Sequence, residues 1–272
     1  MAAISPRRGL CVSLSFVAAL WIVTLPGARA ASYRTANFAV EAPTAEAAKQ
    51  VGNQAERCRK SLSRAWLGRE LPPWKVPCPI RVKLTGGEAG GVTTFDFGNG
   101  GVSDQRMSLE GRLDRILACS LPHEVTHTVL AASFGGPIPR WADEGASLLS
   151  EDRRETDRQD QVAADLLAAR GDMPLARLFR VEDYPRDPTR LLHFYSQGYS
   201  VSRFLVEIGG RPRFLRFLRD GSRSGWDAAA VAHYGLADVQ ELDRAWRSWH
   251  QVAVASPLAS PLVVRASGVN RE

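Results

Sequence analysis

The chain has 272 residues, 44% of them hydrophobic and 24% charged, which suits one globular domain with a substantial core. Its formal charge is +6, but the basic residues, Arg153-Arg154 and Arg211 to Arg219 among them, are mixed with acids. A nucleic-acid surface would need a basic stripe with interleaved aromatics, and that footprint is missing from the sequence, so no nucleic-acid partner is expected.

The first 30 residues read as a signal peptide. Arg7 and Arg8 form a basic start, Leu10 to Leu25 is an apolar stretch of 16 residues, and Ala28-Arg29-Ala30 offers small residues for cleavage before Ala31. The protein is therefore expected to be exported, to the periplasm, the cell surface or the medium. An uncleaved anchor is the alternative, although 16 residues span a bilayer only marginally. Cys11 lies too early to be a lipid-attachment cysteine, and no other stretch could cross a membrane. Cleavage removes three arginines and no acids, lowering the formal charge from +6 to +3. Three cysteines then remain, Cys58, Cys78 and Cys119, enough for one disulfide and a free thiol. Cys58–Cys78 is the preferred pair, and a buried free thiol at Cys58 is the competing reading.

Beyond the leader, Asn37 to Glu41 reads as a strand and Pro43-Thr44 as a helix start. Ala48, Val51, Ala55, Cys58, Leu62 and Trp66 recur at helical spacing until Gly68. Cys78 to Leu84 alternates as a strand, and Gly90 to Leu109 reads as a hairpin around Gly98-Asn99-Gly100-Gly101. A helix is expected from about Gly111 to Ala132, with Ile116, Leu117, Leu121, Val125 and Leu130 on its buried side. Pro122 interrupts it: either the helix kinks there, or a new one starts with Pro122 in its first turn.

That helix carries His123-Glu124-Val125-Thr126-His127. His-Glu-x-x-His on a helix sets two imidazoles one turn apart on one face, within reach of one zinc ion, with the Glu placed to take a proton from water. A catalytic zinc needs a third protein ligand. Glu144 is the candidate, in the run Trp141-Ala142-Asp143-Glu144-Gly145, with 16 residues between it and His127. The connector Phe134-Gly135-Gly136-Pro137-Ile138-Pro139 lets this second, short helix fold back on the first. Further on come Tyr195-Ser196-Gln197-Gly198 and an apolar helical run to Leu205.

These three motifs, in this order, resemble the gluzincins, zinc peptidases of the peptidase MA clan with two His and one Glu as ligands. The chain is most similar to the small bacterial peptidase-MA-like domains, and its Tyr-x-x-Gly run is similar to that of the aminopeptidase N family. The resemblance implies an α+β, zincin-like fold, with a small mixed sheet and the zinc helix in an N-terminal lobe (about 31–135) and a helical C-terminal lobe (about 136–252). It also implies that part of Gly101 to Leu109 is an edge strand pairing with extended substrate. It implies one Zn2+ held by His123, His127 and Glu144, with Glu124 as general base and Tyr195 as the donor that stabilises the tetrahedral intermediate. His193 and Tyr199 compete with Tyr195 for that role.

There are departures. The interval from His127 to Glu144 is two residues shorter than in the aminopeptidase N family, whose Gly-x-Met-Glu-Asn signature has no counterpart before His123. Thermolysin-like enzymes carry an Asp four residues after the ligand Glu, where this chain has Leu148. Which groups support the two His ligands is left open; Asp143 reads first as an exposed helix-start carboxylate, with acceptance of a hydrogen bond from a His ligand as the alternative.

The remaining helices are expected at Thr156 to Arg170, Gly198 to Ile208, Arg211 to Leu218, Trp226 to His233 and Asp238 to Trp249, the last opened by an Asp238/Glu241 capping box. Trp246 and Trp249 read as core. Residues 253–272 lack periodicity and are expected to be disordered. Two functions remain: a zinc peptidase acting on peptides or proteins, and a zinc-binding or interaction module without turnover. Retention of Glu124 favours the peptidase.

Overall fold

The structure is a computed structural model, and it describes residues 8–12, 30–98 and 101–255. The expected disordered tail lies almost wholly outside these residues, as does the expected leader apart from Arg8–Val12 and Ala30. Among the described residues no helix is long and apolar enough to cross a membrane.

A mixed sheet and a set of helices divide the molecule. The strands are β1 (Arg8–Val12), β2 (Ala31–Arg34), β3 (Phe38–Ala42), β4 (Cys78–Leu84), β5 (Gly90–Gly98) and β6 (Gly101–Gly111), in the order β1-β5-β6-β4-β3-β2. β3, β4 and β6 are parallel, and the other neighbours are antiparallel. The expected hairpin is present as β5–β6. β6, however, is an inner strand, hydrogen-bonded to β4 on one side and β5 on the other. β4 pairs only with Met107–Gly111, so both backbone edges are used there and the substrate-pairing edge expected within Gly101 to Leu109 is excluded at Met107 to Leu109, whereas Gly101 to Arg106 is paired on the β5 side alone. β5 lies outside it, and Arg8–Val12 pairs along the outer edge of β5.

One face of the sheet is covered. In β4, Cys78, Ile80 and Val82 are buried while Pro79, Arg81 and Lys83 point to solvent, the period-2 pattern of a one-sided sheet. Phe38, Val40, Ile80, Met107 and Leu109 pack against Val51, Ala55 and Cys58 of α1 (Ala45–Leu67) and Leu121, Val125 and Val129 of α3 (Leu121–Phe134). Thr44 caps α1 through the Ala47 amide, and Gly68 ends it at φ 70°. Cys58 and Cys78 both belong to this apolar core as free thiols, and Cys119 is free as well. The preferred Cys58–Cys78 disulfide is thus not formed; each sulfur packs as a small hydrophobe instead.

The expected single helix from Gly111 to Ala132 is divided. A short turn, α2 (Leu113–Arg115), runs into a π-helical turn at Ile116–Ser120, and α3 starts at Leu121 with Pro122 in its first turn. Pro122 has no amide hydrogen to continue a regular ladder, and the wider π turn, with the Leu121 amide on the Ile116 carbonyl, absorbs the mismatch.

The helical part comprises α4 (Arg140–Leu148), α5 (Arg153–Ala168), α6 (Leu175–Leu178), α7 (Pro188–Ser224), α8 (Trp226–Tyr234) and α9 (Val239–Ala255). Their core gathers Trp141, Phe179, Phe194, Phe204, Phe214, Phe217, Leu242 and Trp246, and it takes Trp66 from α1 and Leu130 from α3. The fold is mixed α+β. α7 starts ten residues before the expected Gly198, capped by Asp187 on the Arg190 amide, and breaks at Gly210, where φ is 73°. In α9 Asp238 accepts from the Glu241 amide, while Glu241 reaches back to the amide of Ala237 rather than that of Asp238. Trp246 is buried; Trp249 is only half-buried, against Phe204.

Candidate metal centre

α3 presents His123, Glu124 and His127, all buried in the seam between the two cores. Gly135, at φ 64°, stops α3 with its amide on the Ala131 carbonyl, and the chain turns through Pro137 and Pro139 into α4. α4 brings in Glu144, fully buried.

Two glycines set its position. A Cβ on Gly145 would collide with the Gly198 backbone and the Ser202 hydroxyl, and one on Gly198 would lie 2.6 Å from the Trp141 carbonyl oxygen. The glycine after Glu144 and the glycine of the Tyr-x-x-Gly run are therefore two halves of one close helix crossing between α4 and α7.

His123, His127 and Glu144 form a group whose ligand atoms all lie within 4.8 Å of one another, so they could hold a metal ion. The Glu144 Oε2 is 3.4 Å from His123 Nε2 and 3.8 Å from His127 Nε2. Glu144 Oε2 and His127 Nε2 are buried without a hydrogen-bond partner among the described residues. Buried polar atoms left this way are costly unless something satisfies them, and a cation at their point of convergence does so.

The ring nitrogens on the far side are held. His123 Nδ1 donates to Glu151 Oε1 at 2.6 Å, and His127 Nδ1 donates to Asp143 Oδ1 at 2.9 Å, with the Ser147 hydroxyl at 3.2 Å. Donation from Nδ1 leaves each Nε2 lone pair aimed at the centre, the usual support of a metal-binding His. Asp143 is thus buried beside His127, and the expectation of an exposed helix-start carboxylate gives way to the alternative of a carboxylate accepting from a His: α4 tucks its first turn into the α3 seam. Burial alone pushes both imidazole pKa values down, but the carboxylates outweigh it. Glu144 and Glu151 raise His123 well above its ordinary value, and Asp143 and Glu144 raise His127. The site favours positive charge at both Nε2 atoms.

Glu124 is covered by β5. Gly91 passes so close that a Cβ there would lie 2.6 Å from the Glu124 Cγ, and the Thr93 hydroxyl donates to Glu124 Oε2 at 2.6 Å. Oε1 has no hydrogen-bond partner among the described residues. Burial raises the pKa of this carboxyl, against the lowering effects of His123, His127 and Thr93. One oxygen is fixed and the other is available as a proton acceptor.

Tyr195 lies on α7, half-buried, with its ring centroid 5.9 Å from that of Tyr184. Tyr184, from the segment between α6 and α7, is the phenol that touches the centre: its hydroxyl donates to Glu144 Oε1 at 2.5 Å. Tyr199 is buried elsewhere, against the Arg203–Asp160 ion pair, which removes it as a competitor.

Sequence reasoning missed Thr93, Glu151 and Tyr184. Glu151 follows Glu144 by two helical turns, but α4 ends at Leu148, so helical spacing alone did not mark it. Cys119, Glu151 and Glu155 form a second close group. There the Cys119 thiol donates to Glu151 Oε2 at 2.8 Å, adding a further prop to the His123 support. No family model, curated protein or solved structure matches this chain.

Proposed function

We propose that the chain is an exported zinc peptidase that hydrolyses peptide bonds, with His123, His127 and Glu144 as zinc ligands. The observation that carries this is the convergence of two supported imidazoles and one carboxylate oxygen beside a buried Glu with a free oxygen. Tetrahedral ligand atoms about 2.0–2.2 Å from zinc lie roughly 3.3–3.6 Å apart, close to the Glu144–His separations above. Two neutral imidazoles and one carboxylate are a donor set that suits zinc at a catalytic site. The order of the motifs along the chain, and the resemblance to gluzincins they carry, agree with it, as does an α+β fold in which the His-bearing helix lies between a mixed sheet and a set of helices.

Zinc held there supplies a Lewis acid that polarises the scissile carbonyl and makes a water molecule acidic near neutral pH. Glu124 accepts the proton of that water at Oε1 while Thr93 holds Oε2, then delivers it to the leaving amine. Tyr195 is the proposed hydrogen-bond donor to the carbonyl oxygen as negative charge develops there.

Glu124→Gln tests the reading. It keeps shape and metal but accepts no proton, so the zinc-loaded variant is expected to lose cleavage of a mixed peptide library while its zinc content stays at one per chain. If the zinc-loaded wild type releases no fragments from such a library across a range of pH, the protein is a zinc-binding module instead.

A further inference from the structure

The group that holds Glu144 comes from outside the sequence motifs. Its two oxygens have different fates: Oε1 accepts from the Tyr184 hydroxyl, while Oε2 has no hydrogen-bond partner among the described residues and faces both Nε2 atoms. The Tyr184 ring is itself fastened. The Arg140 guanidinium lies over its face at 5.0 Å, and Arg140 Nε donates to the Glu182 carbonyl at 3.4 Å, which joins the first residue of α4 to the segment carrying Tyr184. Phe194 and Tyr195 of α7 meet the same ring edge-on, at 6.1 Å and 5.9 Å. A cation over the ring face draws electron density from the phenol and strengthens its hydroxyl as a donor.

We infer that Tyr184 is a positioning residue that holds Glu144 as a one-oxygen metal ligand. The inference rests on the metal reading of the site given above. With Oε1 tied down, only Oε2 is offered to a cation. Without the phenol the carboxylate is free to turn and offer both oxygens, which would fill a position that a catalytic metal keeps open. The centre then has one dedicated prop for each ligand: Glu151 for His123, Asp143 for His127 and Tyr184 for Glu144. Two of these come from α4 and the turn after it. The third comes from the segment before α7, so ordering of residues 179–187 is coupled to metal affinity.

The test is metal binding by the full chain, read without any substrate. Zinc affinity is measured by chelator competition, and the visible absorption of the Co2+-loaded protein reports coordination number. Wild type, Tyr184→Phe and Tyr195→Phe are compared, with the melting temperature of each metal-free form recorded. Phe keeps the ring and its stacking but leaves the buried Glu144 Oε1 without this donor, so the metal-free Tyr184→Phe chain is expected to melt a few degrees below wild type. Its zinc affinity is expected to fall about 10–100-fold, the usual loss when such a supporting group is removed. Its Co2+ bands are expected to weaken as Glu144 becomes bidentate, while Tyr195→Phe changes neither readout. A Tyr184→Phe chain with wild-type zinc affinity and Co2+ spectrum overturns the inference, whatever its activity. So does one with a lower metal-free melting temperature and an unchanged spectrum, the mark of a packing role. A wild-type chain that takes up neither zinc nor Co2+ fails the metal reading itself, which is a separate outcome.

Discussion

Gly198→Ala tests whether the α4–α7 crossing holds Glu144 in place. The new Cβ falls 2.6 Å from the Trp141 carbonyl oxygen, 3.3 Å from its carbon and 3.4 Å from its Cα. Carbon–oxygen contacts between helices close at about 3.3 Å, so the two backbones must part by roughly 0.7 Å. Neither side is the end of a flexible side chain, so the strain passes along α4. Glu144 lies less than one turn beyond Trp141, and metal–ligand distances hold to about 0.2 Å, so a shift of this size spoils the site. Overpacking costs about 1–3 kcal/mol, and the better helix propensity of Ala offsets up to about 1 kcal/mol of it. A net loss of up to about 2 kcal/mol lowers the melting temperature of a chain this size by up to roughly 8 °C. Zinc affinity is expected to fall at least about tenfold, the larger of the two signatures. Thermal unfolding with and without zinc, together with chelator competition, reads both. Gly136→Ala is the control, since its Cβ would meet nothing within 4 Å. Gly198→Ala melting at or above wild type, with unchanged zinc affinity, would refute the reasoning.

Two further outcomes follow from the titrating groups. In the metal-free chain His123 and His127 have pKa values raised above 6.5, so their contribution to stability is complete below that value and is lost as pH rises through the folded values. Zinc competes with the same protons, so the gap between zinc-loaded and metal-free melting temperatures is expected to widen from pH 6 to pH 8; a gap that narrows contradicts the ligand assignment. Burial pushes the Cys58 thiol up to about 11 and the Cys78 thiol up to about 12. Both are therefore expected to resist alkylation at pH 8 in the native chain and to react fully once it is unfolded without reductant, whereas a disulfide would leave them unreactive in both.

The HExxH run, the Glu that follows it and their helices were legible in the sequence because each rests on local spacing. Two His four apart share a helix face wherever that helix lies, and a Gly-Pro-rich connector returns the chain whatever it packs on. The same holds for the Thr44 cap, the Gly68 stop, the alternation in β4 and the β5–β6 hairpin. The supports of the centre are not local. Glu151, Tyr184 and Thr93 come from a turn, a loop and a strand, and nothing in their own neighbourhoods distinguishes them from surface residues. Asp143 was visible, but whether it faced water or His127 depended on how deeply α4 docks. That depth is decided by Gly145 and Gly198, which mean little until two backbones meet. Strand order likewise follows from partners distant in sequence, so the second hairpin arm became an inner strand when β4 paired with it. Spacing along one element determined which groups could bind a metal together. Only packing between elements decided which atoms were buried, which lone pairs were left to face one another, and what holds each ligand still.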